Sequence, residues 1–159
     1  MKRLRELLYK GAELVAAALF AAMFGTFLLQ VFMRYVFNLP LQWSLEFDLV
    51  VYIWIVFWAA AFLVRGRDHI AFNLVYDGSP PAARRVMGIL GGLIVAATFI
   101  VALPATYDFV SFMAIESTPV VRWRFDIVFS IFVVFVVAII LRSLRLLWRL
   151  VGRDWRRHI

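Results

Sequence analysis

The chain has 159 residues, of which 65% are hydrophobic, and it carries a formal net charge of +7. A soluble globular domain is nearer half apolar, so this composition indicates a lipid environment and excludes a soluble catalytic domain beside the apolar segments. The chain has no cysteine, which excludes disulfides, thiolate metal sites and cysteine nucleophiles.

The sequence predicts an all-α membrane protein made of one four-helix transmembrane domain over residues 1–159. We expect membrane spans at about residues 12–33, 45–64, 86–110 and 125–141. Residues 1–11 read MKRLRELLYKG. Leucines can share one helical face there and basic side chains the other, which predicts a short interfacial helix before the first span. A plain basic flank of that span is the alternative.

A tight turn at Asn38 and Pro40 separates the first two spans. Ser44 is predicted to cap the second helix, and Glu46 and Asp48 lie in its first turns, where the helix dipole favours negative charge. Arg34 lies just before the same turn. The spacing therefore predicts a structural salt bridge between Arg34 and Glu46 rather than a transport role for either residue.

Charge asymmetry predicts the topology. Of the 17 lysines and arginines, 14 lie in the N-terminal flank, the middle loop and the C-terminal tail. The other three lie in the two remaining loops: Arg34, Arg122 and Arg124. The positive-inside rule then places both termini and the middle loop in the cytoplasm of a multi-pass inner-membrane protein. Basic flanks of apolar segments also favour membrane lipids over nucleic acid as partners, and Arg142, Arg145 and Arg149 are expected to reach lipid phosphates.

Small residues recur at four-residue spacing in two spans. The third span has Gly88, Gly92 and Ala96, and the first has a similar series, Ala17, Ala21 and Gly25. Such series let helix backbones approach closely, within the chain or against a partner. Chance in an alanine-rich helix is the alternative.

Two tryptophans, Trp54 and Trp58, lie one helical turn apart in the second span. They could line a groove for a partner helix or a lipid, and bulky packing is the alternative reading.

No cofactor, metal or catalytic residue is predicted. The two histidines, His69 and His158, lie in a loop and in the tail, which argues against a haem held between helices. Glu13 is the one acid at the inner start of a span, and we expect it at headgroup level, paired with Lys10 or Arg5. The interior polarity is therefore too low for an ion path through this chain alone.

The run from Phe32 to Glu46, FMRYVFNLPLQWSLE, resembles the small membrane subunit (DctQ-like) of tripartite ATP-independent periplasmic (TRAP) transporters. The next apolar span, then Arg67-Asp68-His69-Ile70, the four spans and the length fit the same pattern. Family members often have two acids near the Glu46 position. Here Leu45 is the neighbour, and Asp48 follows two residues after Glu46.

The resemblance implies a small accessory subunit without enzymatic activity. A separate large membrane subunit would carry solute and sodium, and a periplasmic solute-binding protein would capture a small organic acid. This chain would anchor the large subunit and form part of the outer docking surface. The alternative is a small proton-coupled exporter that acts as a dimer through Glu13.

Overall fold

The structure is a computed structural model that describes residues 2–64, 78 and 80–152, apart from the side chains of residues 2, 4 and 5. Over these residues the fold is all-helical. Its helices are α1 (Lys2–Val36), α2 (Gln42–Trp58, continued by a π-helix, Ala59–Leu63), α3 (Pro81–Phe112, followed by a 3-10 helix, Met113–Ile115) and α4 (Phe125–Val151). All four are long and apolar enough to cross a membrane, which confirms the predicted fold class in outline. The limits of the membrane-embedded parts stay predictions.

The first helix runs without interruption from Lys2 to Val36. The segment predicted as a short interfacial helix is therefore not a separate element, because it belongs to the same helix as the first span. Asn38 ends this region in the left-handed conformation, with a φ of 52°. The chain reverses there, and the Leu39 N–H donates to the Met33 carbonyl at 3.1 Å.

The second helix begins earlier than predicted, because Leu41 and not Ser44 is its N-cap. Ser44 lies inside the first turn and is fully buried. Its hydroxyl donates to the Leu41 carbonyl at 2.7 Å instead of accepting from a free backbone N–H. The prediction of Ser44 as the cap was therefore wrong.

The helices pack in the spatial order α1–α2–α4–α3. α2 contacts α1 on one side and α4 on the other, while α4 makes its most extensive contact with α3. Among the described residues α3 makes no comparable contact with α1 or α2, so the helices form an open row instead of a closed bundle. The described residues leave both faces of the row uncovered, and lipid can surround such apolar faces.

Burial follows the place of each helix in the row. In the most apolar stretch of α4, 28% of the residues are buried. In the corresponding stretch of α1, no residue is buried. Aromatic rings add contacts around α4, because Phe135 packs against Phe57 of α2 at 5.4 Å and against Phe99 of α3 at 6.1 Å between ring centroids. α1 is therefore the helix that the rest of the chain holds least.

Two glycines of α3 lie in close contact with leucine side chains of α4. A Cβ atom on Gly88 would lie 2.8 Å from the Leu150 side chain, and one on Gly92 would lie 3.2 Å from Leu147. Ala96 is buried on the same helix. This small-residue face is thus used inside the chain, whereas a Cβ on Gly25 in α1 would meet no atom within 4 Å.

Candidate interface sites

The best-defined polar arrangement lies where the α3–α4 loop, residues 116–124, crosses the beginning of α2. Glu46 Oε1 accepts a hydrogen bond from the Val120 N–H at 2.8 Å, and Oε2 accepts one from the Val121 N–H at 2.9 Å. Successive backbone N–H groups that converge on one anion form a small positive concavity. The carboxylate therefore fastens the loop to α2 through backbone atoms.

The loop is also closed by its own hydrogen bonds. Ser117 and Arg124 form an isolated antiparallel bridge, and the Thr118 N–H donates to the Trp123 carbonyl at 2.9 Å. The Thr118 hydroxyl oxygen accepts from the Trp123 N–H at 3.0 Å. The Arg122 N–H donates a hydrogen bond to the Thr118 carbonyl at 3.1 Å, which completes the turn. The backbone of Arg122 is left-handed, with a φ of 58°. The turn therefore has a defined shape.

A second contact with α2 comes from the residue after the carboxylate. The ring of Phe47 packs against that of Trp123 with 6.1 Å between centroids. Thr118, in the same loop, is buried, and its side chain faces Glu46. Two adjacent residues of α2, Glu46 and Phe47, thus hold the two sides of the same turn.

Glu46 does not pair with Arg34 in this structure, so the predicted salt bridge was wrong. Both oxygens of Glu46 already accept backbone N–H groups, whereas Arg34 is exposed in the last turn of α1. The ion pair found among the described side chains is instead Arg124–Asp126, at 2.8 Å. Arg34 is left available to a partner or to a phosphate.

Asp48, the second predicted acid, is partly buried in the next turn of α2. Its Oδ1 atom is enclosed and accepts no hydrogen bond from the described residues. A buried oxygen without a partner is uncommon and destabilising. The two acids therefore differ, because Glu46 is fully engaged and Asp48 is not.

Both predicted tryptophans bind the backbone of neighbouring helices. Trp54 Nε1 donates to the Val128 carbonyl of α4 at 3.1 Å, and Trp58 Nε1 donates to the Ala12 carbonyl of α1 at 3.0 Å. Both side chains are half-buried. Within this chain they therefore connect α2 to both neighbours in the row.

Two arginines at the predicted cytoplasmic end bind carbonyls at the ends of helices. Arg142 donates through Nη2 to the carbonyl of Val64, which follows the π-helix. Arg85 donates through Nε to the Leu150 carbonyl at 2.8 Å, near the end of α4. Cations at helix C-termini are favourable because the last carbonyls are unpaired and the dipole is negative there. Arg142 thus turns inward, contrary to the expectation that it reaches lipid phosphates.

The remaining candidates give less information. Glu13 is exposed on α1 beside Ala12, and the structure shows no ion pair between it and Lys10. His69 and His158 lie outside the described residues. Over the part of the chain that the structure describes, no three histidine or acidic side chains form a group that could hold a metal ion.

Sequence reasoning missed the partners of Glu46 and the helix-capping arginines. A backbone N–H leaves no signature in a sequence, so Val120 and Val121 could not be recognised. The Thr118-Pro119 step, which favours a turn, was the available signal for a defined loop. Arg85 was counted only as one of the basic residues of the middle loop, and Arg142 was expected at lipid phosphates.

Comparison with known proteins gives one family. The family model described as "Tripartite ATP-independent periplasmic transporters, DctQ component" matches residues 23–153. That range contains the C-terminal part of α1, residues 23–36, and all of α2, α3, the α3–α4 loop and α4. No curated protein matches the chain.

Proposed function

Because the chain belongs to the DctQ family of TRAP transporter components, we propose that it is the small accessory membrane subunit of a sodium-coupled importer. In this proposal, a large membrane subunit moves a small organic acid that a periplasmic solute-binding protein delivers. The present chain holds the large subunit at a fixed depth and orientation in the inner membrane, with both termini in the cytoplasm.

The open row of helices is the observation that carries this proposal. A self-sufficient carrier needs helices that surround a polar path, whereas over the described residues each helix makes its extensive contacts with its neighbours in the row. Such a layer offers two broad apolar faces, and either can lie against a larger membrane protein. Connections between the helices stiffen the layer, as the bonds of Trp54 and Trp58 illustrate.

α1 supports the same role from the edge of the row. The part of the chain that the structure describes buries none of the most apolar stretch of α1 and leaves the space beside Gly25 open. A large subunit that packs there gains close backbone contact along Ala17, Ala21 and Gly25. α1 therefore serves in this proposal as the main contact with the partner.

The opposite end of the molecule supports a docking role. The α3–α4 loop carries few basic residues and lies on the periplasmic side if the positive-inside rule holds. Its turn is fixed to α2 through Glu46. A fixed loop loses little conformational entropy when a soluble partner binds.

Co-purification tests the proposal. This chain, with a C-terminal tag, is co-expressed with a large TRAP membrane subunit from the same organism and isolated in mild detergent. We expect a stable complex of both subunits, and we expect the Gly25→Leu variant to retain less of the large subunit than the wild type. Recovery of this chain without the large subunit would contradict the proposal.

A further inference from the structure

We propose that Glu46 is a positioning residue that holds the α3–α4 loop in the shape needed to present the Arg122 guanidinium to carboxylates of the solute-binding protein. This inference rests on the proposed function. In addition, it assigns recognition of the soluble partner to Arg122 and the positioning of Arg122 to Glu46.

Arg122 lies in the turn with an unusual backbone conformation. Its backbone has a φ of 58°, a conformation that residues other than glycine seldom adopt without support. The support comes from the bond of its N–H to the Thr118 carbonyl and from the two preceding N–H groups, which bind Glu46. Glutamine at position 46 keeps one acceptor oxygen and loses the other, so Glu46→Gln weakens the anchor next to the strained residue.

The two arginines of the loop differ in whether they have an ionic partner. Arg124 is already paired with Asp126 through two contacts, of 2.8 and 3.2 Å. Arg122 is exposed and forms no ion pair with the described residues. Its guanidinium is thus the loop cation that is left for a partner, and carboxylates match its planar donors best.

The acidic side chains near the turn have other partners or lie away from Arg122. Both oxygens of Glu46 are occupied by backbone N–H donors, and Asp126 is paired with Arg124. Glu116 is exposed, but it lies at the base of the loop, where its carbonyl accepts the Phe125 N–H. Among the described residues of the turn, Arg122 therefore offers a positive group without an ionic partner, and the proposal places a carboxylate of the soluble protein opposite it.

Docking is measured by biolayer interferometry, with the complex of small and large subunits in nanodiscs and the solute-binding protein in solution. Arg122→Gln should weaken docking by about two- to fivefold, as expected for one exposed ion pair. It should also reduce the dependence of the association rate on salt. Arg124→Gln is the matched control, and it should have a smaller effect because Asp126 already neutralises that guanidinium.

The positioning role has its own test. Glu46→Gln should weaken docking like Arg122→Gln, and the double variant should be no weaker than Arg122→Gln alone, because both changes act through one contact. Glu116→Gln removes the same charge from the same region and should leave docking unchanged or tighter. Hydrogen exchange should show faster exchange at Val120 and Val121 in Glu46→Gln but not in Glu116→Gln.

Different results separate the two proposals. Unchanged docking in Arg122→Gln, or effects of Glu46→Gln and Arg122→Gln that add independently, would overturn the present inference even though the two membrane subunits co-purify. Failure of the wild-type chain to assemble with the large subunit would overturn the proposed function instead. Because Arg122 is exposed, we expect Arg122→Gln to fold normally. The docking of this variant therefore decides the test even if Glu46→Gln folds poorly.

Discussion

The indole N–H of Trp58 in α2 donates a hydrogen bond of 3.0 Å to the backbone carbonyl of Ala12 in α1. This bond joins the least buried helix to the rest of the row, close to the point where α2 changes into a π-helix. A π-helical turn inside an α-helix often marks a functional position. Here it precedes Val64, whose carbonyl accepts from Arg142.

Replacement of Trp58 by phenylalanine should loosen α1. The variant keeps an aromatic ring but loses the donor, and hydrogen bonds between membrane helices contribute about 0.6 kcal/mol on average. We expect a small decrease in the thermal unfolding midpoint of the purified chain in detergent. Trp148→Phe is the matched control, because Trp148 is 84% exposed, and an equal effect of both variants would contradict this role of Trp58.

Overpacking at Gly92 should separate α3 from α4. Leucine at this position meets Leu147, and such insertions into packed regions cost about 1–3 kcal/mol. Gly91→Leu adds the same side chain one residue earlier on the same helix, where a Cβ has open space. Thermal unfolding should therefore show a loss of stability for Gly92→Leu and little change for Gly91→Leu.

Arg142 should be required for the inner end of α2. Arg142→Gln removes a charged donor from the Val64 carbonyl, and hydrogen bonds of charged groups contribute about 1.5–3 kcal/mol. We expect lower thermal stability and faster backbone exchange at the end of the π-helix. Arg145→Gln, on the exposed side of the same helix, controls for lost charge, and equal losses in both variants would count against the capping role.

Hydropathy and charge predicted the helices well but not their partners. Each apolar stretch is long enough to span the membrane, so its existence follows from local composition alone. The spacing of Gly88, Gly92 and Ala96 correctly indicated a close-packed face. The choice between an internal contact and a partner needed the structure, because the similar series that ends at Gly25 stays open.

The polar contacts were less predictable, since they depend on how helices distant in sequence are aligned. Arg34 and Glu46 are close in sequence, which made a salt bridge between them reasonable. Glu46 instead binds backbone atoms 74 and 75 residues away, in a loop whose shape no local pattern defines. Arg142 likewise binds a carbonyl 78 residues away, so counting it as a surface charge missed its role.

The proposed function requires that this chain assists a larger transport subunit and moves no solute alone. Transport into sealed proteoliposomes under a sodium gradient, with organic acids as labelled solutes and the binding protein added outside, measures this property. We predict no accumulation with this chain alone and sodium-dependent accumulation once the large subunit is present. Accumulation by this chain alone, especially if Glu13→Gln abolishes it under a proton gradient, would contradict the claim and favour the exporter.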